Sequence, residues 1–196
     1  MKSIAIEREF GSGGREIGIL TAKLAGIPYY DGELLKKAAR DQGVPVSMLE
    51  YYDEKRSGSL LYDLSSYVKQ MQLHPGITVH QLFYGLQKTM RNLSKESPAV
   101  FIGRCATEIL KEDPGALRVY IYSSSLDSRV RRTMDSEGCS EAAARQLIDK
   151  KDRQRRNYFK YWTQKDWDDR KNYDIELNTS VLTAEECANL LLSVCS

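Results

Sequence analysis

The chain has no apolar run long enough to span a bilayer. A secretory leader is not expected either, because MKSIAIEREF meets charge after three apolar residues. Cysteine is scarce: Cys105, Cys139, Cys187 and Cys195 lie far apart, without the close spacing of a metal site. A chain of 196 residues can bury a sizeable core without disulfides, so reduced thiols and a cytoplasmic location are expected. Charge of one sign is also missing. A net charge of +2 gives no support for a nucleic-acid binder, while leaving room for local basic patches aimed at small anions. There are only two histidines, His74 and His80, and neither has a catalytic partner in view; Pro75 marks the first as a loop residue. No internal repeat, low-complexity tract or interdomain linker is present.

What is there is a soluble globular composition, 41% apolar and 29% charged, sized for one domain. SIAIE reads as a buried strand, and Ile17, Leu20 and Leu24 then recur at helical spacing. IPYYD reads as a second strand, followed by a helix in GELLKKAARDQG that Gly43 and Pro45 stop. Residues 47–75 mix aromatic and polar types, as helical pieces with mobile joins would. From Val79, the residues Leu82, Phe83, Leu86, Met90 and Leu93 make an apolar stripe that suits either the core or an interface. AVFIG, LRVYIYS and YDIELNTS read as further strands. SEAAARQLIDKKDRQRRNYFKYW and TAEECANLLLSVC read as helices, the last with Thr183 as its cap. Alternating strands and helices imply an α/β fold of three layers, a parallel sheet with helices on both faces.

The segment IEREFGSGGREIG, Ile6 to Gly18, carries the chemistry. A strand, a glycine-rich turn and a helix start together form a phosphate cradle. Glycines let the backbone approach the oxygens, amide groups converge on them, and the helix N-terminus adds partial positive charge. Gly11, Ser12, Gly13 and Gly14 fit that design, yet the usual G-x-x-x-x-G-K-[ST] pattern is not met. Counted from the strand, Arg8 takes the first glycine's place, Gly14 the lysine's and Arg15 the hydroxyl's. One residue later, Arg15 takes the lysine slot and Glu16 the hydroxyl's. In either register Arg15 is the one cation next to the helix start, and Glu16 can serve as a Mg²⁺ ligand.

From Ile4 onward the order of features resembles the cytidylate kinases, most closely a divergent bacterial group of cytidylate kinase-like proteins. REFGSGGREIG is similar to that group's phosphate loop. IPYYDGELLKKAA resembles the start of an acceptor-binding lobe. VFIGRCATEIL resembles a Gly-Arg-Asp element with Cys105 in the aspartate's place. YIYSSSLDSRVRRTM is similar to a strand-to-helix entry with spaced arginines. KKDRQRR falls where the family carries its lid, and Asp152 with Arg155 keeps a D-x-x-R spacing. In YDIELNTS, Asn178 stands where cytidylate kinases proper have aspartate.

The resemblance implies a P-loop fold of the nucleoside monophosphate kinase type. Its core would be 1–30, 98–148 and 173–196, its acceptor-binding lobe about 31–97, and its lid about 149–172. It implies transfer of the γ-phosphoryl of ATP, with Mg²⁺, to a nucleoside monophosphate (CMP- or dCMP-like) or similar small phosphorylated acceptor. Membrane and nucleic-acid partners are not implied, and monomer and homodimer both stay open.

The site residues follow from the same resemblance and from the chemistry of phosphoryl transfer, which needs alignment and charge neutralisation more than covalent help. Gly11, Ser12, Gly13, Gly14, Arg15 and Glu16 hold ATP, with Arg129 and Arg132 beside them. Arg129 and Arg132 share a helix face at i, i+3, whereas Arg131 points elsewhere. Arg104, Asp31 and Lys37 meet the acceptor. Arg15, Arg153, Arg155 and Arg156 stabilise the transferring group. Plainer readings stand beside these: KKDRQRR as a solvated face, Asp31 as a helix cap, Arg104 as a partner for a carboxylate, and Tyr158, Phe159, Tyr161, Trp162 and Trp167 as packing. The missing lysine also suits a nucleotide-binding module without turnover, acting as a sensor or partner-binding subunit.

Overall fold

The structure is a computed structural model that describes residues 1–32, 37, 40 and 79–195. Five strands form one sheet: β1 (Ser3–Arg8), β2 (Tyr29–Tyr30), β3 (Val100–Ile102), β4 (Ala116–Tyr122) and β5 (Ile175–Asn178). Their order is β2-β3-β1-β4-β5, and every pairing is parallel. β1 is central and wholly buried, pairing Ile6 with Ile102 on one side and with Val119 on the other. Such a strand faces helices on both sides, and so reads as an unbroken apolar run.

Alternation along β1 divides the core. Ile4 and Ile6 point toward α1 (Gly14–Ala25) and α6 (Ala184–Cys195), packing with Ile17, Val119, Ile121, Cys187 and Leu191. Ala5 points the other way, toward α2 (Val79–Glu96) and α3 (Ala106–Ile109). Phe83, Leu86, Met90 and Leu93 of the α2 stripe are buried there, which decides for the core over an interface. Phe159 and Trp167, within the stretch expected to form a lid, join the same cluster. A hairpin of α4 (Leu126–Glu137) and α5 (Glu141–Thr163) packs Val130, Ala144 and Ile148 around Phe10, over the turn that follows β1.

The helix spacing in α1 needs one correction. Leu24 is exposed, and the buried face is Gly14, Ile17, Gly18, Thr21 and Ala22. A Cβ on Gly18 would lie 2.8 Å from Ile102 Cδ1 and 3.1 Å from Ile6 Cδ1. The helix therefore rests on the sheet through small residues, which hydrophobic spacing alone ranks below leucine. Thr183 does cap α6: its hydroxyl accepts the Glu186 amide, and Glu186 accepts the Thr183 amide in return, a capping box. The four cysteines are free thiols. Among the described residues no helix is long and apolar enough to cross a membrane.

The helix expected in GELLKKAARDQG is described only at Gly32, Lys37 and Arg40, which are helical. The pieces expected in 47–75, and with them His74 and most of the stretch expected to form an acceptor lobe, lie outside the described residues.

Candidate phosphate-binding site

At the C-terminal ends of the strands the chain leaves β1 toward β2, then crosses from β3 to β4 on the other side of β1. That change of direction opens the crevice in which parallel α/β sheets bind ligands. The glycine turn lies over it. Gly11 has φ +74° and Gly13, the residue before α1, has φ +82°. At Gly11 freedom of φ is joined by lack of room, since a Cβ would lie 2.7 Å from Thr133 Oγ1 and 2.8 Å from the Arg129 carbonyl.

Inside the turn, the Ser12 hydroxyl donates to the Glu9 carbonyl at 2.9 Å and accepts the Gly14 amide at 3.3 Å. Ser12 is fully buried, so this expected phosphate ligand braces the loop from within. The loop is also held from behind. Asp152 on α5 accepts the Phe10 amide at 2.7 Å and pairs with Arg129. Arg129 donates to the Phe10 carbonyl at 2.8 Å and meets Glu9 at 3.3 Å. Arg132 donates to the Gly11 carbonyl at 2.8 Å, and Arg155 to the Arg8 carbonyl at 2.8 Å while lying over the Phe10 ring. Burial pushes the Glu9 carboxyl above its usual range, opposed by the Ser123 amide and Arg129. Glu9, Arg129 and Asp152 thus form a buried charge cluster whose members satisfy one another and the loop backbone.

The expected ligands fall into distinct groups. Arg132 lies against Gly13 at the mouth of the loop, its Cζ 3.4 Å from where a Cβ would sit. Arg15 is 61% exposed and donates to Asp31 at 3.0 Å, which joins the expected donor ligand directly to the expected acceptor ligand. Glu16 is exposed in the first turn of α1, and Lys37 is exposed. Arg129, expected to touch phosphate, instead spends its guanidinium on Glu9, Asp152 and the Phe10 carbonyl, because α4 packs directly beneath the turn. The three arginines of the expected lid diverge: Arg155 lies on another face of the helix, while Arg153 and Arg156, at i, i+3, are drawn apart by different partners. Arg153 projects to solvent beside Asp149, Arg155 turns inward, and Arg156 pairs with Asp168 at 2.7 Å above the Trp167 ring.

Arg104 is 6% exposed and has φ +58°; Gly103 and Cys105 on either side of it are also left-handed. Two consecutive non-glycine residues in that region cost on the order of 1–3 kcal/mol each. The Arg104 guanidinium lies 5.8 Å from the Tyr158 ring centre. Glu7, missed in the sequence reading, holds this turn by accepting the Cys105 amide at 3.1 Å and the Trp167 indole at 3.2 Å. Its signal was visible: Glu7, Arg8 and Glu9 put three charges at the end of a strand that is otherwise apolar. Arg8 was also passed over as a cation. It is 7% exposed and lies close to Gly14 and Gly103, so Arg15 is not alone beside the helix start. The aromatic residues of α5 pack, with Trp162 stacked on Phe83 at 4.0 Å.

A family model described as the cytidylate kinase-like family matches residues 3–181. The chain belongs to that family. Among solved structures it is similar to an uncharacterized protein from Eubacterium ventriosum, with 24% identity, TM-score 0.74, and 100% of this chain and 98% of that one covered. It also resembles TT1252 from Thermus thermophilus, at 19% identity and TM-score 0.55, covering 100% and 98% of the two chains. Shikimate kinase from Bacteroides thetaiotaomicron matches at 11% identity and TM-score 0.52, covering 98% and 97%. No curated protein sequence matches it. These likenesses show the P-loop kinase fold, and membership of the cytidylate kinase-like family supports a phosphotransferase in general.

Proposed function

We propose that this cytidylate kinase-like protein transfers the γ-phosphoryl of ATP to a nucleoside monophosphate of the CMP or dCMP type, or to a similar small phosphorylated acceptor. The observation that carries this reading is the braced glycine turn at the start of α1, with Arg132 at its mouth and Arg15 beside it. A rigid loop keeps its amides aimed without reorganising at the moment of reaction, which is what stabilises charge on a transferring phosphoryl group. Arg15 would grip the β- and γ-phosphates once it leaves Asp31, and Arg104 and Asp31 would meet the acceptor. Arg155 would act from its position under the loop. Residues 149–172 would border the site as a lid that stays anchored through Asp152, Phe159 and Trp167, and 31–97 would carry the acceptor lobe.

Among the described residues there is no cluster of three acidic, histidine or cysteine side chains that could hold a metal. Mg²⁺ keeps several waters and is held by substrate phosphates with one or two carboxylates, so Glu16 or Asp31 would be the protein's contribution. When bound, the ion would neutralise the β- and γ-oxygens.

The second reading is a nucleotide-binding module with little or no turnover. The Arg15–Asp31 pair favours it, since each residue occupies the other's binding group. Calorimetry with ATP and with nucleoside monophosphates, followed by a coupled assay for nucleoside diphosphate, separates the two. Binding of both classes with turnover supports the kinase. Binding of ATP with no acceptor consumed supports the module, and no nucleotide binding at all would sink both.

A further inference from the structure

We infer that Arg8 carries the phosphate-neutralising charge of the absent loop lysine, from the strand side of the turn instead of the helix side. This rests on the kinase reading above. In the pattern G-x-x-x-x-G-K, the first position has no side chain and the seventh has a cation. Counted from Arg8, the same seven positions here read Arg8, Glu9, Phe10, Gly11, Ser12, Gly13, Gly14. The cation and the bare backbone have changed places.

The two positions touch, which makes the exchange a single event. A Cβ on Gly14 would lie 2.6 Å from Arg8 Cβ, 3.0 Å from Arg8 Cγ and 3.2 Å from Ile121 Cβ. A contact of 2.6 Å does not occur between packed carbons, and the near end of Arg8 cannot swing aside because it is attached to the buried strand. Only one of the two positions can therefore carry a side chain. With arginine at 8, neither lysine nor alanine fits at 14.

A second glycine makes room for the far end of Arg8. A Cβ on Gly103 would sit 2.1 Å from Arg8 Nη1 and 3.1 Å from Cζ, at a residue whose φ is +77°. The guanidinium therefore lies between the phosphate turn and the Gly103–Cys105 turn that begins the proposed acceptor site. A lysine on the helix would reach the donor phosphates alone. A planar guanidinium at this junction presents several donors and can face donor and acceptor together.

In the transfer, an acceptor oxygen forms a bond to the γ-phosphorus as the bond from that phosphorus to the β–γ bridging oxygen breaks. The electron pair leaves on the β-phosphate oxygen of ADP. Arg8 keeps its proton throughout and neutralises the charge spread over the transferring oxygens, so it is a catalytic residue by contact and not by proton exchange.

The test uses the full chain with a non-hydrolysable ATP analogue and Mg²⁺ in titration calorimetry, with circular dichroism melting as the control for folding. Arg8→Met should weaken binding by roughly tenfold or more, the scale of one charge-assisted hydrogen bond. The comparison that survives a folding defect is Arg8→Gly against the exchange Arg8→Gly/Gly14→Lys, since neither carries side chains at both positions and the two differ only at 14. The exchange should recover binding to within about threefold of wild type, while Arg8→Gly alone stays weak. Wild-type affinity in Arg8→Met, or an exchange variant no better than Arg8→Gly, would overturn the inference and leave the kinase reading standing. A wild-type chain that binds no triphosphate would overturn both.

Discussion

Asp152 accepts the backbone amide of Phe10 at 2.7 Å, across 142 residues of sequence, and the same carboxylate pairs with Arg129. One side chain on a long basic helix thereby holds both the glycine turn and the guanidinium that braces it. Removing it would leave Arg129 charged, buried and short of a partner. Asp152→Ala should cost about 3–5 kcal/mol, the range for breaking a buried pair from one side. Urea denaturation measures this; a loss below about 1 kcal/mol would mean that the carboxylate is dispensable to the loop.

The Arg15–Asp31 pair behaves differently because it is exposed. Such pairs contribute about 0–1 kcal/mol. Arg15→Ala should leave the melting temperature nearly unchanged while weakening binding of a triphosphate analogue. Asp31→Ala should free Arg15, so that triphosphate affinity holds or rises while acceptor affinity falls. Triphosphate affinity unchanged in Arg15→Ala would remove that residue from the site.

At the opposite end of the sheet, Asp174 accepts the Arg118 amide at 2.9 Å and its Nε at 3.1 Å. The Arg118 side chain is the main cause holding the Asp174 carboxyl below its usual value, with burial opposing it. A carboxylate with a depressed folded-state pKa contributes stability that is full above its unfolded pKa. That contribution is lost as pH falls through the folded value. Melting temperature should therefore fall on acidification below the ordinary aspartate range, and Asp174→Asn should flatten that part of the profile and lower the melting temperature at pH 7. Because the pair lies away from the glycine turn, nucleotide affinity at pH 7 should not change. Parallel acid limbs for the two proteins would contradict the assignment.

Much of the fold could be read directly. SIAIE, AVFIG and LRVYIYS are apolar because parallel strands are covered on both faces, and that composition survives any arrangement of neighbours. The long α5 helix and the Thr183 cap were legible for the same local reason. The α1 face was misread where Leu24 outranked Gly18, since close packing on a sheet selects small side chains that a hydrophobic scale scores poorly. The site was less legible. Three arginines in DRQRR look alike on paper, yet they point to solvent, to the Arg8 carbonyl and to the Trp167 ring. Which way each points depends on what α5 lies against.

By itself the amino-acid sequence determined the alternation of strands and helices, the glycine turn at the first helix and the abundance of arginine around it, because spacing and backbone freedom are properties of short stretches. Only the tertiary structure decided that Asp152 and Arg129 hold Phe10, that Glu7 supports the Arg104 turn, and that Arg8 and Gly14 exclude each other's side chains. Those relations join residues on different elements, and they exist only once the order of strands brings the elements within a few ångströms, where burial makes each missing partner costly.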